Sequence, residues 1–207
     1  MDITVRSFKG SQIAPHIEQI ARFRIEGFRS FPYLYEGSTA YEKKYLAGYE
    51  REPESLLVCA YNGAELCAVA TSLPLCSGSD IVADAAGLFR TSGHRPEEFY
   101  YYSEIIVHPA VRGRGIARDI YRVREQHARS LGLPRLCLAV VQRSADHPLR
   151  PAGYVPPERI WQRDGFLPTD MTFTYQWPTI QADGSVRNDD NVMRYWIREL
   201  SRSDGPA

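Results

Sequence analysis

Between residues 108 and 121 the chain reads HPAVRGRGIARDIY, which sets Gly113 and Gly115 among Arg112, Arg114 and Arg118 where a helix-like run begins. The first N–H groups of a helix lack intrahelical acceptors and sit at the positive end of its dipole, so an anion can be held there. Glycine lets a phosphate reach the main chain with no Cβ in the way, and Arg112 and Arg114 can add charge-assisted contacts. The alternative is an ordinary capped turn with a solvated arginine face. A P-loop is absent, and the dinucleotide pattern G-x-G-x-x-G would need a glycine where Arg118 stands. Glu104 is the only carboxylate in the apolar and aromatic run FYYYSEIIV (99–107), and SADHPLRPAGY (144–154) clusters Asp146, His147 and Arg150.

These residues must be positioned by the elements around them. ITVRSF (3–8) alternates like a half-buried strand, and residues 12–28 carry a helical apolar stripe. A second helix is expected over 38–50, with Ser38 or Thr39 as its cap. Two apolar runs flank Asn62-Gly63, a strong hairpin signal. A short helix follows over 80–91, then a strand over 99–107. Residues 115–131 form an amphipathic helix ended by Gly132 and Pro134, and RLCLAVV (135–141) is a buried strand. The stretch 99–141 is therefore a βαβ unit with a right-handed crossover. A proline-rich loop, a short helix stopped at Gly165 and two strands, 171–177 and 191–200, complete an α/β chain with a mixed sheet of six or seven strands.

The segment IIVHPAVRGRGIARDIYRVREQHARSLG resembles the acyl-CoA-binding segment of the GCN5-related N-acetyltransferases (GNAT superfamily). Arg112, Gly115 and Ala117 fill the signature Q/R-x-x-G-x-G/A, preceded by Val107 and Pro109 as V-x-P. The order of elements over 3–200 is also similar to that family. The resemblance implies a single GNAT domain over 1–207, with a mixed, mostly antiparallel sheet flanked by helices and a parallel pair that splays into a cleft. Acetyl-CoA or another acyl-CoA would be the donor. Its pyrophosphate would meet Arg112, Gly113, Arg114, Gly115, Ile116 and Ala117, and its pantetheine the main chain at Ile106 and Val107.

The implied reaction is direct attack of an amine on the thioester. Glu104 is the candidate base, with Tyr101 and Tyr102 to keep water from it; the opposing reading is a Glu on the other face of the sheet, paired with an arginine. Many members of the family carry a Tyr four residues before the Gly-Phe that here is Gly165-Phe166, but that position holds Trp161, whose indole is no proton source. Tyr154 is the substitute acid. FPYLYEG (31–37) is similar to a segment of a poorly characterised bacterial subgroup. Phe31, Tyr33 and Tyr35 would wall an acceptor pocket with Asp146 and His147, or equally be core filler and a braced loop. The expected function is N-acetyl transfer to an amine, a small molecule before a protein; the alternative is a domain that binds acyl-CoA as a sensor without turnover.

Lys plus Arg and Asp plus Glu are 25 each in 207 residues, so nothing in the overall charge favours nucleic acid as a partner. The four cysteines, Cys59, Cys67, Cys76 and Cys137, do not have zinc-ligand spacing, so no metal is expected. MDITVRSFKG has no apolar signal core and no stretch approaches a bilayer span, so a cytoplasmic protein with no membrane partner is expected. Dimers are common in the family, and a homodimer is among the arrangements the resemblance implies.

Overall fold

The computed structural model describes residues 2–201; residue 1 and residues 202–207, the ends of the expected 1–207 domain, lie outside the described residues. Seven strands, β1 (Ile3–Lys9), β2 (Leu56–Asn62), β3 (Glu65–Pro74), β4 (Phe99–Val107), β5 (Arg135–Val141), β6 (Leu167–Ile180) and β7 (Val186–Glu199), form one sheet in the order β1-β2-β3-β4-β5-β7-β6. All neighbours are antiparallel except β4 and β5, which run parallel through the helix α4 (Ile116–Ser130). The expected α/β class and strand count are thus observed.

The helices α1 (Ile17–Phe28), α2 (Thr39–Arg51) and α3 (Ala83–Thr91) cover one face, where Ile20, Leu46 and Phe89 join the core. On the other face, Ile116 and Ile120 of α4 are buried, and Trp161 of α5 (Glu158–Arg163) packs on the same cluster. Ser38 caps α2, its Oγ accepting from the Tyr41 N–H at 3.3 Å. The helix expected over 12–28 divides into a 3₁₀ segment, Gly10–His16, and α1. Pro15 explains the break: it has no N–H to donate and restricts the residue before it.

β6 and β7 are each 14 residues long, well beyond the apolar runs 171–177 and 191–200. The added length of β6 includes Pro168 and Pro178. Because β6 is the sheet edge, a proline there need not break a ladder bond.

Two local features shape the site. β4 pairs with β5 only from Phe99–Arg135 to Tyr102–Leu138; beyond this β4 stays with β3 and β5 with β7, so the sheet splits. The β3–β4 register also shifts there, Thr71 facing Glu104 and Ser72 facing Tyr102, which leaves Ser103 in a bulge. Phe99 and Tyr101 pack on the α1 face and Tyr100 and Tyr102 on the α4 face, but beyond the bulge Ile106 is on the α1 face. The extra residue reverses the alternation and turns Glu104 toward α1.

Candidate active site

The split opens a cleft of about 940 Å³ between the ends of β4 and β5. Its mouth is the turn at 112–117. Gly113 and Gly115 have φ of 77° and 83°, a region that disfavours side chains, and a Cβ on Gly113 would meet nothing within 4 Å. The main-chain N–H groups of residues 113 through 118 donate to no acceptor among the described residues, and no side chain caps α4. Six successive donors are thus left unengaged at a helix N-terminus, an arrangement suited to a diphosphate. Seven arginines line the cleft against three carboxylates, so the balanced overall charge conceals a strongly positive groove.

Arg112 is partly committed: its Nε donates to the Val107 carbonyl at 3.0 Å, tying the turn to the end of β4. The His108 N–H donates to Cys67 of β3 at 2.9 Å. Alternation then points the main-chain groups of Ile106 to β3, and those of Ile105 and Val107 to the diverging side. The main chain of Ile105 and Val107, rather than that of Ile106, is therefore the part turned toward the split. The Ile106 side chain instead lies against Gly27, where a Cβ would come within 2.4 Å of it. Only glycine allows α1 this close, and that approach delivers Arg24, one turn earlier.

Arg24 Nη1 ion-pairs with Glu104 Oε1, and Arg24 Nε reaches Glu42 Oε2 at 2.5 Å; all three side chains are at least nine-tenths buried. Burial would lower the Arg24 pKa, but the charge of Glu104, with Tyr45 and Glu42, holds it well above the ordinary value. Its guanidinium also lies 4.6 Å and 5.1 Å from the Tyr45 and Phe28 ring centroids. Glu104 both lines the cleft, as a base must, and pairs with an arginine, as the opposing reading has it. Two carboxylates share one arginine, leaving a net formal charge of −1 against the cleft.

Phe31, Tyr33 and Tyr154 line the cleft, with Phe31 and Tyr154 edge to face at 4.7 Å between centroids. Burial raises the Tyr154 pKa, as does the charge of Glu158, so this phenol keeps its proton at neutral pH. Tyr33 is pushed up more strongly, by burial and then Glu104.

Three expected acceptor residues lie elsewhere. Tyr35 is buried beneath α2 in the core, and its main chain bridges to Thr179 of β6. Asp146 is exposed and hydrogen-bonded to Ser144, which lowers its pKa. His147 faces a separate depression beside the β6–β7 hairpin, its Nδ1 accepting from the Leu149 N–H at 3.2 Å. Asp146 does not line the cleft, and His147 meets it only through its ring, 5.5 Å between centroids from that of the cleft-lining Phe31.

Beside Trp161, the cleft also contains residues not singled out from the sequence. Arg143 Nε and Nη2 donate to the carbonyls of Pro32 and Tyr33 at 2.7 and 3.2 Å, fixing the aromatic loop. Arg124, 1% exposed, passes 3.8 Å over the Tyr102 ring and donates to the Thr71 carbonyl at 2.7 Å, bracing the bulge that aims Glu104. Trp161 Nε1 donates to Tyr121 Oη at 2.8 Å, and both line the cleft. Glu158, after two prolines, lines it too. Arg124 and Tyr121 lay on a helix face that otherwise reads as the usual division of apolar and charged residues; the Pro156-Pro157 step before Glu158 was the only signal for the last.

Among the described residues no helix is long and apolar enough to cross a membrane, and no cluster of three His, Cys, Asp or Glu side chains is placed to hold a metal. Cys59, Cys67 and Cys137 are buried and Cys76 is exposed.

No curated protein sequence matches the chain. Solved structures share its fold at low identity. The Salmonella typhimurium yncA protein, solved with its cofactor acetyl-CoA, is 16% identical over 99% of this chain and 98% of its own, with a TM-score of 0.59. The Drosophila melanogaster polyamine N-acetyltransferase is 15% identical over 96% and 100%, with a TM-score of 0.58. An N-acetyltransferase from Staphylococcus aureus Mu50 is 12% identical over 97% and 100%, with a TM-score of 0.59. The Acetyltransferase (GNAT) family matches residues 18–151, which include α1, the bulged β4, the open turn and α4. The split sheet with six free amides at its mouth is thus the acetyltransferase architecture that the sequence resembled, and the chain belongs to the GNAT acetyltransferase family.

Proposed function

We propose that this chain is an acetyl-CoA-dependent N-acetyltransferase acting on a small amine, with residues 1–207 working as one domain. The observation that carries the reading is the row of unpartnered N–H groups at 113–118, at the mouth of a cleft wide enough for an extended cofactor arm. Arg114 and the free guanidinium nitrogens of Arg112 stand beside it for further phosphate contact. Acetyl-CoA supplies an activated thioester and a good leaving group. The Val107 N–H faces the split and is the donor for charge developing on the carbonyl oxygen.

The acceptor arrives as an ammonium ion and first loses a proton to the Glu104 carboxylate, which passes it to solvent. Its nitrogen then attacks the thioester carbonyl; the C–N bond forms, the C–S bond breaks, and sulfur takes the electron pair. The second nitrogen proton leaves as the amide forms, and one proton reaches the sulfur. Tyr154 faces the cleft as its donor, with Tyr121 as the neighbouring phenol. A thiol of pKa about 8.5 leaves readily unaided, so at pH 7.5 this proton is worth only about 1.4 kcal/mol.

A second reading, acyl-CoA binding without turnover, is favoured by one observation: Trp161 occupies the usual phenol position. Release of free thiol from acetyl-CoA across a panel of primary amines decides between them. Turnover above the hydrolysis background supports the transferase; binding of acetyl-CoA without turnover of any amine supports the sensor.

A further inference from the structure

On the segment after β5, two charged side chains that line the cleft lack protein partners among the described residues. The Arg150 side chain makes no hydrogen bond or ion pair among the described residues; its guanidinium lies 5.0 Å from the Tyr154 ring centroid and 5.9 Å from that of Phe31. Stacking fixes the plane of the guanidinium and leaves its edge donors unused. Glu158 has a buried Oε2 with no hydrogen bond, and no Lys, Arg or His nitrogen lies within 4.0 Å of its carboxylate among the described residues. A buried carboxylate oxygen without a donor is costly unless a ligand supplies one.

The other cleft charges near them are engaged. Glu104 has Arg24, and Arg143 holds the carbonyls of Pro32 and Tyr33. Arg150 and Glu158 do not pair with each other, yet both act on Tyr154, Glu158 raising its pKa after burial does so and Arg150 lowering it. Arg150 lies against this phenol, and Phe31, edge to face on Tyr154 at 4.7 Å, lines the cleft beside it together with Tyr33.

We propose that the acceptor is an amino-acid-like zwitterion, a primary amine that also bears a carboxylate, with its carboxylate at Arg150 and its ammonium drawn in by Glu158, within reach of the Glu104 base. A zwitterion neutralises both groups at once, whereas a simple amine leaves Arg150 unpaired and a polyamine brings a second cation against it. The aromatic wall suits an apolar side chain. This rests on the acetyltransferase reading above.

The test is thiol release from acetyl-CoA with matched pairs: phenylalanine and phenethylamine, tyrosine and tyramine, leucine and isopentylamine. The carboxylate-bearing members should show kcat/KM higher by about tenfold or more. Arg150→Met should bring each pair within about threefold, chiefly through KM, while Arg150→Lys keeps part of the preference; an unchanged thermal shift with acetyl-CoA verifies folding of both variants. Equal rates within pairs, a preference for the decarboxylated amines, or a preference that survives Arg150→Met overturns the proposal while leaving acetyl transfer intact. So does binding of acetyl-CoA with no turnover of any pair. Failure of acetyl-CoA itself to bind overturns the acetyltransferase reading instead.

Discussion

Trp161 Nε1 donates a hydrogen bond to Tyr121 Oη at 2.8 Å, joining α5 to α4 across the floor of the cleft. The indole is braced edge to face by Trp196 at 6.1 Å. Burial raises the Tyr121 pKa, while Arg124 and the Trp161 bond work against that rise. The phenol oxygen accepts from the indole, so its own proton remains to be given. Tyr121→Phe and Tyr154→Phe should each lower kcat by no more than about tenfold at pH 7.5, because the thiolate leaves well without an acid. If either single variant loses a thousandfold while still binding acetyl-CoA, its phenol has a role other than protonating sulfur.

The Arg24 triad separates chemistry from stability. Glu104→Gln keeps shape and leaves Arg24 paired with Glu42, so its melting temperature should change little while kcat/KM falls by about a hundredfold or more. Arg24→Met instead strands two buried carboxylates. It should cost about 3–5 kcal/mol, a drop in melting temperature on the order of 10 °C. Unchanged turnover by Glu104→Gln across the pH range removes Glu104 as base.

Acid should destabilise the fold through His127. Burial lowers its pKa from 6.5, and its Nε2 lies 3.2 Å from the Glu54 carbonyl. The folded state therefore holds the proton less tightly than the unfolded one. The His127 contribution is complete above pH 6.5 and declines as pH falls from there toward its lower folded value. His127→Gln should flatten the fall in melting temperature between pH 7 and 5; an identical slope in both proteins contradicts the assignment.

The chain announced some of this plainly. The Asn62-Gly63 hairpin, the strand at 99–107 and the amphipathic helix after Gly115 follow from turn chemistry and periodicity, and all three are present. Open amides over 112–117 were legible because two glycines at a helix start have few other uses; the structure shifts them to 113–118, the Arg112 N–H being spent on the Pro109 carbonyl at 3.2 Å. The side of the sheet taken by Glu104 was not, because a bulge at Ser103 leaves no mark in the alternation of apolar residues. Arg24 looked like one of several charges on α1; only the contact between Gly27 and Ile106 brings it to Glu104. Asp146 and His147 clustered in sequence, yet Asp146 is exposed and His147 meets the cleft only through its ring against Phe31, since a loop rich in proline gives no periodicity from which to infer direction.

Gly113 gives a sharper probe of the turn than its crowded neighbour. Gly113→Ala meets no atom within 4 Å and should cost only about 1–2 kcal/mol for a side chain at positive φ. Its Cβ would nevertheless stand where the phosphates approach. Acetyl-CoA affinity should fall by about tenfold or more in calorimetry, well beyond the stability effect. Equal affinity in both proteins places the phosphates elsewhere.

The most direct measurement is the melting temperature of the protein titrated with acetyl-CoA, in parallel with Gly115→Trp. Ligand at a hundred times its Kd should stabilise the protein by about 2.7 kcal/mol, a rise of roughly 5–10 °C. Gly115→Trp, which fills the cradle at a position with φ of 83°, should show no rise. No rise for the unaltered protein at millimolar acetyl-CoA, or an equal rise in both proteins, would contradict the claim that residues 113–118 hold the acyl donor.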